Sequence, residues 1–314
     1  MVLPWDVPVV QAPVGPATTT RLVKAVSSVG ALGTLAASWT EPDVLRKQLQ
    51  ELRASAGPRF CVNLVLTFDQ RPRLEVVLDE GVRFVWFSWG IEAALIRRAH
   101  DAGAVVLVQV SDVEAAREAA DAGADVIVAQ GVEAGGHVQG TTPLLELLGA
   151  LRPTLELPIV AAGGIADGAS AHAAIAAGSD GVACGTAFLA ALEADVHPDY
   201  LERLFRSVAS DTVLTKVFDI GWPDAPHRVI RNDTFVNWDL AGRPARGSRP
   251  SEDDVIATRS GIPVLRYSEA QPTADTAGEI GSMALYAGMS VDMVHHRASA
   301  EDITREIARG LPLL

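Results

Sequence analysis

The chain has 314 residues, of which 48% are hydrophobic and 21% are charged, so it can bury a large core and is not disordered. Its net charge of −13 repels a phosphate backbone, which excludes nucleic acid as an expected partner, and its two cysteines, Cys61 and Cys184, lie too far apart in sequence to suggest a zinc site. The N-terminus lacks the basic start and apolar core of a signal peptide, and no run of about 18 apolar residues predicts a membrane span, so we expect a cytoplasmic protein with no membrane partner.

Short apolar runs alternate with helical segments through the first two-thirds of the chain. The predicted strands are Val7–Gln11, Ala31–Thr34, Phe60–Leu64, Arg83–Ser88, Val105–Val110, Val126–Gln130, Ile159–Ala162 and Gly181–Cys184. The predicted helices are Thr18–Ser28, Pro42–Ser55, Arg71–Leu78, Ile91–Asp101, Asp112–Ala122, Thr142–Leu151 and Gly168–Ala177. Strict alternation predicts a parallel sheet, and eight units without a G-x-G-x-x-G turn after the first strand predict an α/β fold closed as a (β/α)8 TIM barrel.

The regular alternation of predicted strands and helices ends after Leu192. Residues 195–274 are rich in Asp, Arg, Pro and Trp, and their apolar content is too thin for an independent core. We therefore expect residues 1–194 and 275–314 to form the barrel domain and residues 195–274 to form a lid inserted after the eighth strand, over the barrel mouth.

Glycines follow the last two predicted strands, where a TIM barrel commonly grips phosphate. Gly163 and Gly164 come after the seventh strand, and Gly185 and Thr186 come after the eighth. Backbone amides in these two loops can bind an anion without a basic side chain, which reconciles a phosphate ligand with an acidic protein. The alternative is that the glycines only permit tight turns.

The most unusual stretch, "VIVAQGVEAGGHVQG", places Gln130 at the end of the sixth strand and Gly135, Gly136 and His137 just beyond it. The two glycines would let the backbone pass close to a flat ring. His137 would then face the mouth, either as a general base or as a binder of an anionic substrate. The alternative is a solvated loop histidine.

The motifs "PVVQAP", "VNL", "QGVEAGGHVQG", "AAGGIADG", "ACGTAFL", "TVLTKVF" and "LYAGMSV" resemble, in this order, those of the nitronate monooxygenase family. The resemblance implies an FMN-dependent TIM barrel with a mostly helical lid, and it makes His137 the active-site histidine. The residues that it and the loop positions assign to FMN are Ala12, Pro13, Asn63, Gln109, Gln130, Gly135, Gly136, Gly163, Gly164, Ala183, Cys184, Gly185 and Thr186. Val138 and Gln139 both stand between His137 and Gly140, where the family usually has one residue.

The resemblance implies oxidation of an alkyl nitronate by O₂ to a carbonyl compound and nitrite, with a nitronate or nitroalkane as the small-molecule substrate. Val14, Trp89, Phe218 and Trp222 are the candidates for the apolar part of the pocket. One alternative is a flavin-dependent enoyl-acyl-carrier-protein reductase that uses NADH, although an acidic carrier docks less readily on an acidic protein. A second alternative is a flavin-binding protein without turnover. A homodimer is left open.

Overall fold

Eight parallel strands close into a barrel in a computed structural model, which describes residues 2–56 and 59–311. The barrel strands are β1 (Val9–Gln11), β2 (Leu32–Ala36), β3 (Phe60–Val65), β4 (Phe84–Ser88), β5 (Val105–Val110), β6 (Val126–Gln130), β7 (Ile159–Ala162) and β8 (Gly181–Cys184). Each strand pairs with the next in the chain, and β8 pairs with β1 to close the ring. The TIM-barrel prediction is confirmed, and every predicted strand is found within about three residues of its expected bounds.

A helix follows each strand of the barrel. These helices are α1 (Thr20–Ser28), α2 (Pro42–Ala56), α3 (Arg71–Asp79), α4 (Ala93–Asp101), α5 (Val113–Asp121), α6 (Leu144–Leu151), α7 (Gly168–Ala176) and α8 (Thr186–Leu189). Side chains of Thr19, Asp112 and Asp167 accept hydrogen bonds from the first turns of α1, α5 and α7, which begins those helices at the residues seen. The helix α11 (Ala300–Ala308) completes the outer layer by packing against α1 and α7.

The hydrophobic core has two layers that the alternation of strand side chains explains. Residues such as Val10, Trp86 and Val128 point into the barrel, where Trp5 also packs edge-on against Phe84. Their neighbours along each strand point outward against the helices. The interior is thus filled with side chains, and a cavity opens at the end where the strands' carboxyl termini meet.

The inserted region contains two helices, α9 (Pro198–Arg206) and α10 (Asp233–Leu240), and most of two small antiparallel sheets. The sheet strands are β9 (Thr212–Thr215), β10 (His227–Ile230), β11 (Val255–Arg259), β12 (Ile262–Leu265) and β13 (Thr276–Gly278). The expected mostly helical lid is therefore a mixed one. Its β-branched runs form strands, and Ser260 and Gly261, with φ of +50° and +77°, make the tight turn that joins β11 to β12.

Both small sheets cross the expected boundaries of the insertion. β10 pairs with a short strand, Gly136–His137, that belongs to the loop after β6 of the barrel. β11 pairs with β13, which lies beyond residue 274. The lid is consequently joined to the barrel mouth by backbone hydrogen bonds at the histidine loop itself.

Within the described ranges 2–56 and 59–311, no helix has the length and apolar character needed to cross a membrane. The same residues contain no group of three His, Cys, Asp or Glu side chains placed to hold a metal ion. Cys61 and Cys184 are both buried as free thiols.

Candidate active site

A cavity of about 810 Å³ lies at the carboxyl ends of the barrel strands, beneath the lid. This is within the usual size range of pockets for cofactors and small ligands. The predicted site residues that line it are Ala12, Pro13, Asn63, Gln109, Gln130, Gly135, Gly136, His137, Gly163, Gly164, Ala183, Gly185 and Thr186. Residues at the carboxyl ends of six different strands, or in the loops that follow them, thus converge on one space, as the barrel rule predicted.

Cys184 is the exception among the predicted residues, because its side chain does not line the cavity. It packs in the layer between barrel and helices, while the preceding Ala183 faces the barrel interior. Successive side chains of a strand point to opposite faces, so only one of this pair can reach the cavity. Cys184 contributes its carbonyl oxygen, which accepts a hydrogen bond from the N–H of Ala12 at 2.9 Å.

The two glycine loops leave backbone amides available at the cavity wall. Gly163 and Gly164 have φ of +110° and +71°, a backbone conformation that favours glycine. Among the residues that the structure describes, the N–H groups of Gly163, Gly164 and Gly185 donate no hydrogen bond. Thr186 begins α8, and its own N–H has no partner within the helix. These amides form an uncharged cradle suited to an anion.

Gln130 holds the histidine loop in place. Its Nε2 donates to the carbonyl oxygen of His137 at 3.1 Å, and its Oε1 accepts from the N–H of Gln139 at 2.9 Å. Gln109 supports the same loop, since its Nε2 donates to Oε1 of Gln139 at 2.6 Å. The extra residue between His137 and Gly140 is thus accommodated by a clamp of two amide side chains.

The two adjacent glycines of this loop are required for different structural reasons. A Cβ at Gly135 would lie 2.2 Å from the backbone nitrogen of Gly288, so only glycine allows the loop and the C-terminal segment to cross. Gly136 has open space around it but adopts a φ of +72°. The sequence argument assigned both glycines to contact with a flat ring, whereas the structure shows that chain crossing and backbone conformation already require them.

His137 lies among aromatic rings, not in solvent. Its ring stacks on Trp222 at 4.1 Å between centroids and meets Trp89 edge-on at 6.2 Å. Its Nε2 is buried and has no hydrogen-bond partner within the described chain. Burial, with a smaller contribution from His227, lowers the pKa of His137 to about 3. The side chain therefore faces the cavity as a neutral imidazole.

His227, on the lid strand opposite His137, is also neutral. Its Nδ1 lies 2.9 Å from the carbonyl oxygen of Ala225, and its Nε2 accepts from the N–H of Phe218 at 3.2 Å. These two bonds together require a proton on Nδ1 only. Burial lowers the pKa of His227 to about 4 despite the hydrogen bond to Ala225.

The aromatic residues proposed for the pocket divide into two groups. Val14, Trp89 and Trp222 line the cavity, with Trp89 held at a φ of +60°. Phe218 does not line it, because its side chain is fully buried in the lid's own core beside Tyr267. Ile220 and Trp222, from the same segment, line the cavity instead.

Sequence reasoning missed several polar residues of the site, among them Arg259, Glu269, Gln271 and Tyr286. The first three lie in the inserted region, where no periodic pattern shows which way a side chain points. Tyr286 lies in the "LYAGMSV" motif, which was the only signal that could have drawn attention to it. Arg259 and Glu269 are the only Asp, Glu, Lys or Arg side chains among the described residues of the cavity wall.

Comparisons with known proteins agree with this geometry. The chain matches the model of the nitronate monooxygenase family over residues 2–71 and 62–310. It is 36% identical, over 76% of its length and 67% of the relative's, to a (3aS,4S,5R,7aS)-5-hydroxy-7a-methyl-1-oxo-octahydro-1H-indene-4-carboxyl-CoA dehydrogenase of Mycobacterium tuberculosis. The nitroalkane oxidase of Streptomyces ansochromogenes superposes with a TM-score of 0.81 at 30% identity, covering 98% of this chain and 96% of that one. FabK of Thermotoga maritima superposes with a TM-score of 0.77 at 28% identity, covering 96% and 92%.

The protein is a closed TIM barrel with backbone amides and a histidine at its mouth, and the family model matches nearly its whole length. These features define a flavin-dependent oxidoreductase. The chain belongs to the nitronate monooxygenase family. The family resemblance inferred from the sequence motifs is thereby confirmed.

Proposed function

We propose that the protein oxidises nitroalkanes or their nitronates with FMN and O₂, releasing a carbonyl compound and nitrite. The observation that carries this proposal is the neutral, unpartnered Nε2 of His137 at the cavity wall. A base in this state can accept the α-proton of a nitroalkane without first losing one of its own. Bound flavin supplies the electron acceptor for the oxidation.

The cavity residues fit an FMN molecule. The free amides of Gly163, Gly164 and Gly185 suit its phosphate, and this location needs no basic side chain. Nε1 of Trp86 and Nε2 of Gln271 line the same cavity, are buried and have no partner within the described chain, so a polar ligand would satisfy them. Asn63 and Gln109 contribute neutral amides nearby, while Gln130 acts by fixing the histidine loop.

The charge state of His137 supports one of the two roles that its sequence position allows. A cationic histidine would attract a nitronate, but a group with a pKa of about 3 carries no charge at neutral pH. The neutral ring can still accept a proton from carbon, and its stack on Trp222 holds it in one orientation. His137 is therefore assigned the role of general base.

The test compares wild type with His137→Asn on nitroethane and on preformed ethyl nitronate. Loss of the base should lower kcat/KM for nitroethane on the order of 100-fold or more, and should affect ethyl nitronate much less. Flavin content should stay unchanged, because the phosphate loops are intact. Equal rates for wild type and variant on both substrates would contradict the assignment, and bleaching of the flavin by NADH without any nitronate turnover would favour the enoyl reductase alternative.

A second candidate is oxidation of an acyl-CoA thioester. It is favoured by the 36% identity to a relative whose name describes a carboxyl-CoA dehydrogenase. A carbon next to a thioester carbonyl is also a carbon acid, so the same neutral His137 could take its proton. Anaerobic bleaching of the flavin by an acyl-CoA, with no response to nitronates, would select this function.

We also propose that residues 195–274 act as the substrate lid, because Ile220, Gly221, Trp222 and Glu269 of that segment line the cavity. The homodimer and the cytoplasmic location stay predictions. Size-exclusion chromatography with light scattering would test the first, and cell fractionation would test the second.

A further inference from the structure

Glu269 is held firmly at the cavity wall by its backbone. Its N–H donates to the carbonyl oxygen of Ile220 at 3.1 Å, and its own carbonyl oxygen accepts from the Tyr286 hydroxyl at 3.0 Å. Ile220 also forms a bridge with Ser268, the preceding residue. Two separate segments of the chain therefore fix the point from which this side chain leaves the backbone.

The side chain of Glu269 is directed past Gly221 toward the catalytic histidine. A Cβ at Gly221 would lie 2.5 Å from Oε1 of Glu269, so the glycine makes room for the carboxyl group. Oε2 of Glu269 lies 4.0 Å from Nε2 of His137. The two side chains are 21% and 13% exposed, and this carboxyl group makes no hydrogen bond within the described chain.

The groups around the carboxyl group leave its charge uncompensated. Neutral His137 lies 4.0 Å away, His227 packs against His137 and Tyr286, and Tyr286 interacts electrostatically with the carboxyl group. Among the described residues, Arg259 is the cation that acts on it, but its guanidinium donates to the carbonyl oxygen of Gln271 at 3.1 Å. Burial consequently raises the pKa of Glu269 to about 7, and Arg259 opposes that rise only in part.

We propose that Glu269 is a second proton-handling residue of this site, and that it makes the site favour a neutral carbon acid over the preformed anion. The proposal rests on the proposed function. The unpartnered Nε2 of His137 and the carboxyl group 4.0 Å away face the same cavity, so a proton taken from substrate has a receiver beyond the histidine.

The proton step balances without a further reactant. The C–H bond of the nitroalkane breaks, its electron pair moves into the nitro group, and the proton goes to Nε2 of His137. The resulting imidazolium lies next to the Glu269 carboxylate, which stabilises it and accepts its proton. A nitronate that arrives already ionised gains nothing from this path and is repelled by the carboxylate.

The two substrate forms should respond to Glu269→Gln in opposite directions. At pH 8.5, kcat/KM for nitroethane should fall on the order of 10-fold, because the carboxylate that receives the proton is lost. In the same assay, kcat/KM for ethyl nitronate should rise about 3- to 10-fold, because a like charge is removed from its path. A purely structural role would move both values the same way, and that result would overturn the proposal.

The pH profiles provide a second check on the same variant. In wild type, kcat/KM for nitroethane should rise as pH increases through about 7, while the value for ethyl nitronate should fall over the same interval. Both changes should be absent in Glu269→Gln. The matched control is Glu279→Gln, which changes a carboxylate that is 60% exposed and pairs with Arg266, and this variant should keep both wild-type profiles.

A binding measurement separates failure of this proposal from failure of the proposed function. Butyrate is an unreactive planar oxyanion of similar size that stays ionised above pH 6, and its dissociation constant can be measured by calorimetry on the flavin-loaded protein. Its affinity should fall up to about 10-fold per pH unit above 7 in wild type and stay constant in Glu269→Gln. If neither nitroethane nor ethyl nitronate is turned over, this dependence still supports Glu269, whereas pH-independent binding or no binding at pH 6 would overturn it.

Discussion

The barrel and the lid contribute different kinds of chemical group to the cavity wall. The barrel side consists of glycine and alanine backbone, neutral amides such as Asn63 and Gln109, and apolar side chains. The lining residues with ionisable side chains are His137, Arg259, Glu269 and Tyr286, and each belongs to the lid or is hydrogen-bonded to it. On the proposed function, most cofactor contacts therefore come from the barrel loops, and the ionisable side chains are held by the lid.

Physical reasons favour this division. Barrel strands are paired on both sides and packed on both faces, so their loops present backbone groups at fixed positions that hardly change with pH. The lid covers the cavity and desolvates whatever faces it, which shifts the pKa of His137 and His227 downward and that of Glu269 upward. A single covering layer thus sets opposite protonation states in neighbouring side chains.

The stability of the protein should be most sensitive to mutation at Gly135, where the histidine loop crosses the C-terminal segment. Gly135→Ala would bring a Cβ to 2.2 Å from the Gly288 nitrogen, a backbone atom that cannot rotate away. We expect a loss of about 3 kcal/mol or more in the free energy of unfolding, measured by urea denaturation. Gly149→Ala, in α6 with open space around it, is the control and should instead stabilise by up to about 1 kcal/mol. Similar stabilities for the two variants would show that the loop and the C-terminal segment are not held together as described.

The glycine loops of the barrel should control cofactor content. A side chain at Gly185 would meet only Val14 and Ala12, at 3.6 and 3.9 Å, so Gly185→Val fits the protein but fills the space in front of the amide cradle. We expect a folded protein with flavin occupancy reduced at least about 10-fold, read from the ratio of flavin to protein absorbance. Gly281→Val, at an uncrowded position away from the cavity, should purify with full flavin. Normal yellow colour in Gly185→Val would contradict phosphate binding at this loop.

The lid half should control turnover without controlling flavin. Trp222→Ala removes the ring that stacks on His137 and leaves the barrel loops untouched. We expect kcat/KM to fall about 10-fold with normal flavin content, because the base loses its fixed orientation. Trp238→Ala, also in the lid but outside the cavity, should destabilise the protein without this kinetic loss. Loss of flavin in Trp222→Ala would mean that the lid also holds the cofactor.

The smallest expected effect is a pH-dependent loosening of the lid. Both histidines have a lower pKa folded than unfolded, so their neutral forms stabilise the fold fully above about pH 6.5, and this contribution is lost as pH falls toward 4 and 3. Protonated His227 can no longer accept from the N–H of Phe218. Limited proteolysis should therefore cut residues 195–274 faster at pH 5 than at pH 7.5, with no such change within the barrel. His227→Asn should reduce the difference between the two pH values.

Local patterns in the sequence determined most of the barrel. Apolar runs such as Val126–Gln130 are long enough to be strands buried on both faces, and the helix–glycine–strand rhythm repeats often enough to count eight units. The rule that loops after the strands meet at one mouth then selected the site residues. It failed at Cys184 because the side-chain direction of two neighbours, Ala183 and Cys184, depends on the register of the closed sheet.

Only the tertiary structure determines which side chains of the lid face the cavity and which protonation states they adopt there. Nothing local in "RYSEAQP" shows that Glu269 lies 4.0 Å from a histidine 132 positions earlier in the chain, because that contact depends on how Ile220 and Tyr286 hold its backbone. The same holds for the charge of His137: its residue type indicated a titrating group, but burial beneath Trp222 made it neutral. Residue order determines which groups are present and which strands form, whereas distance and desolvation, which set a pKa, exist only after distant segments have packed together.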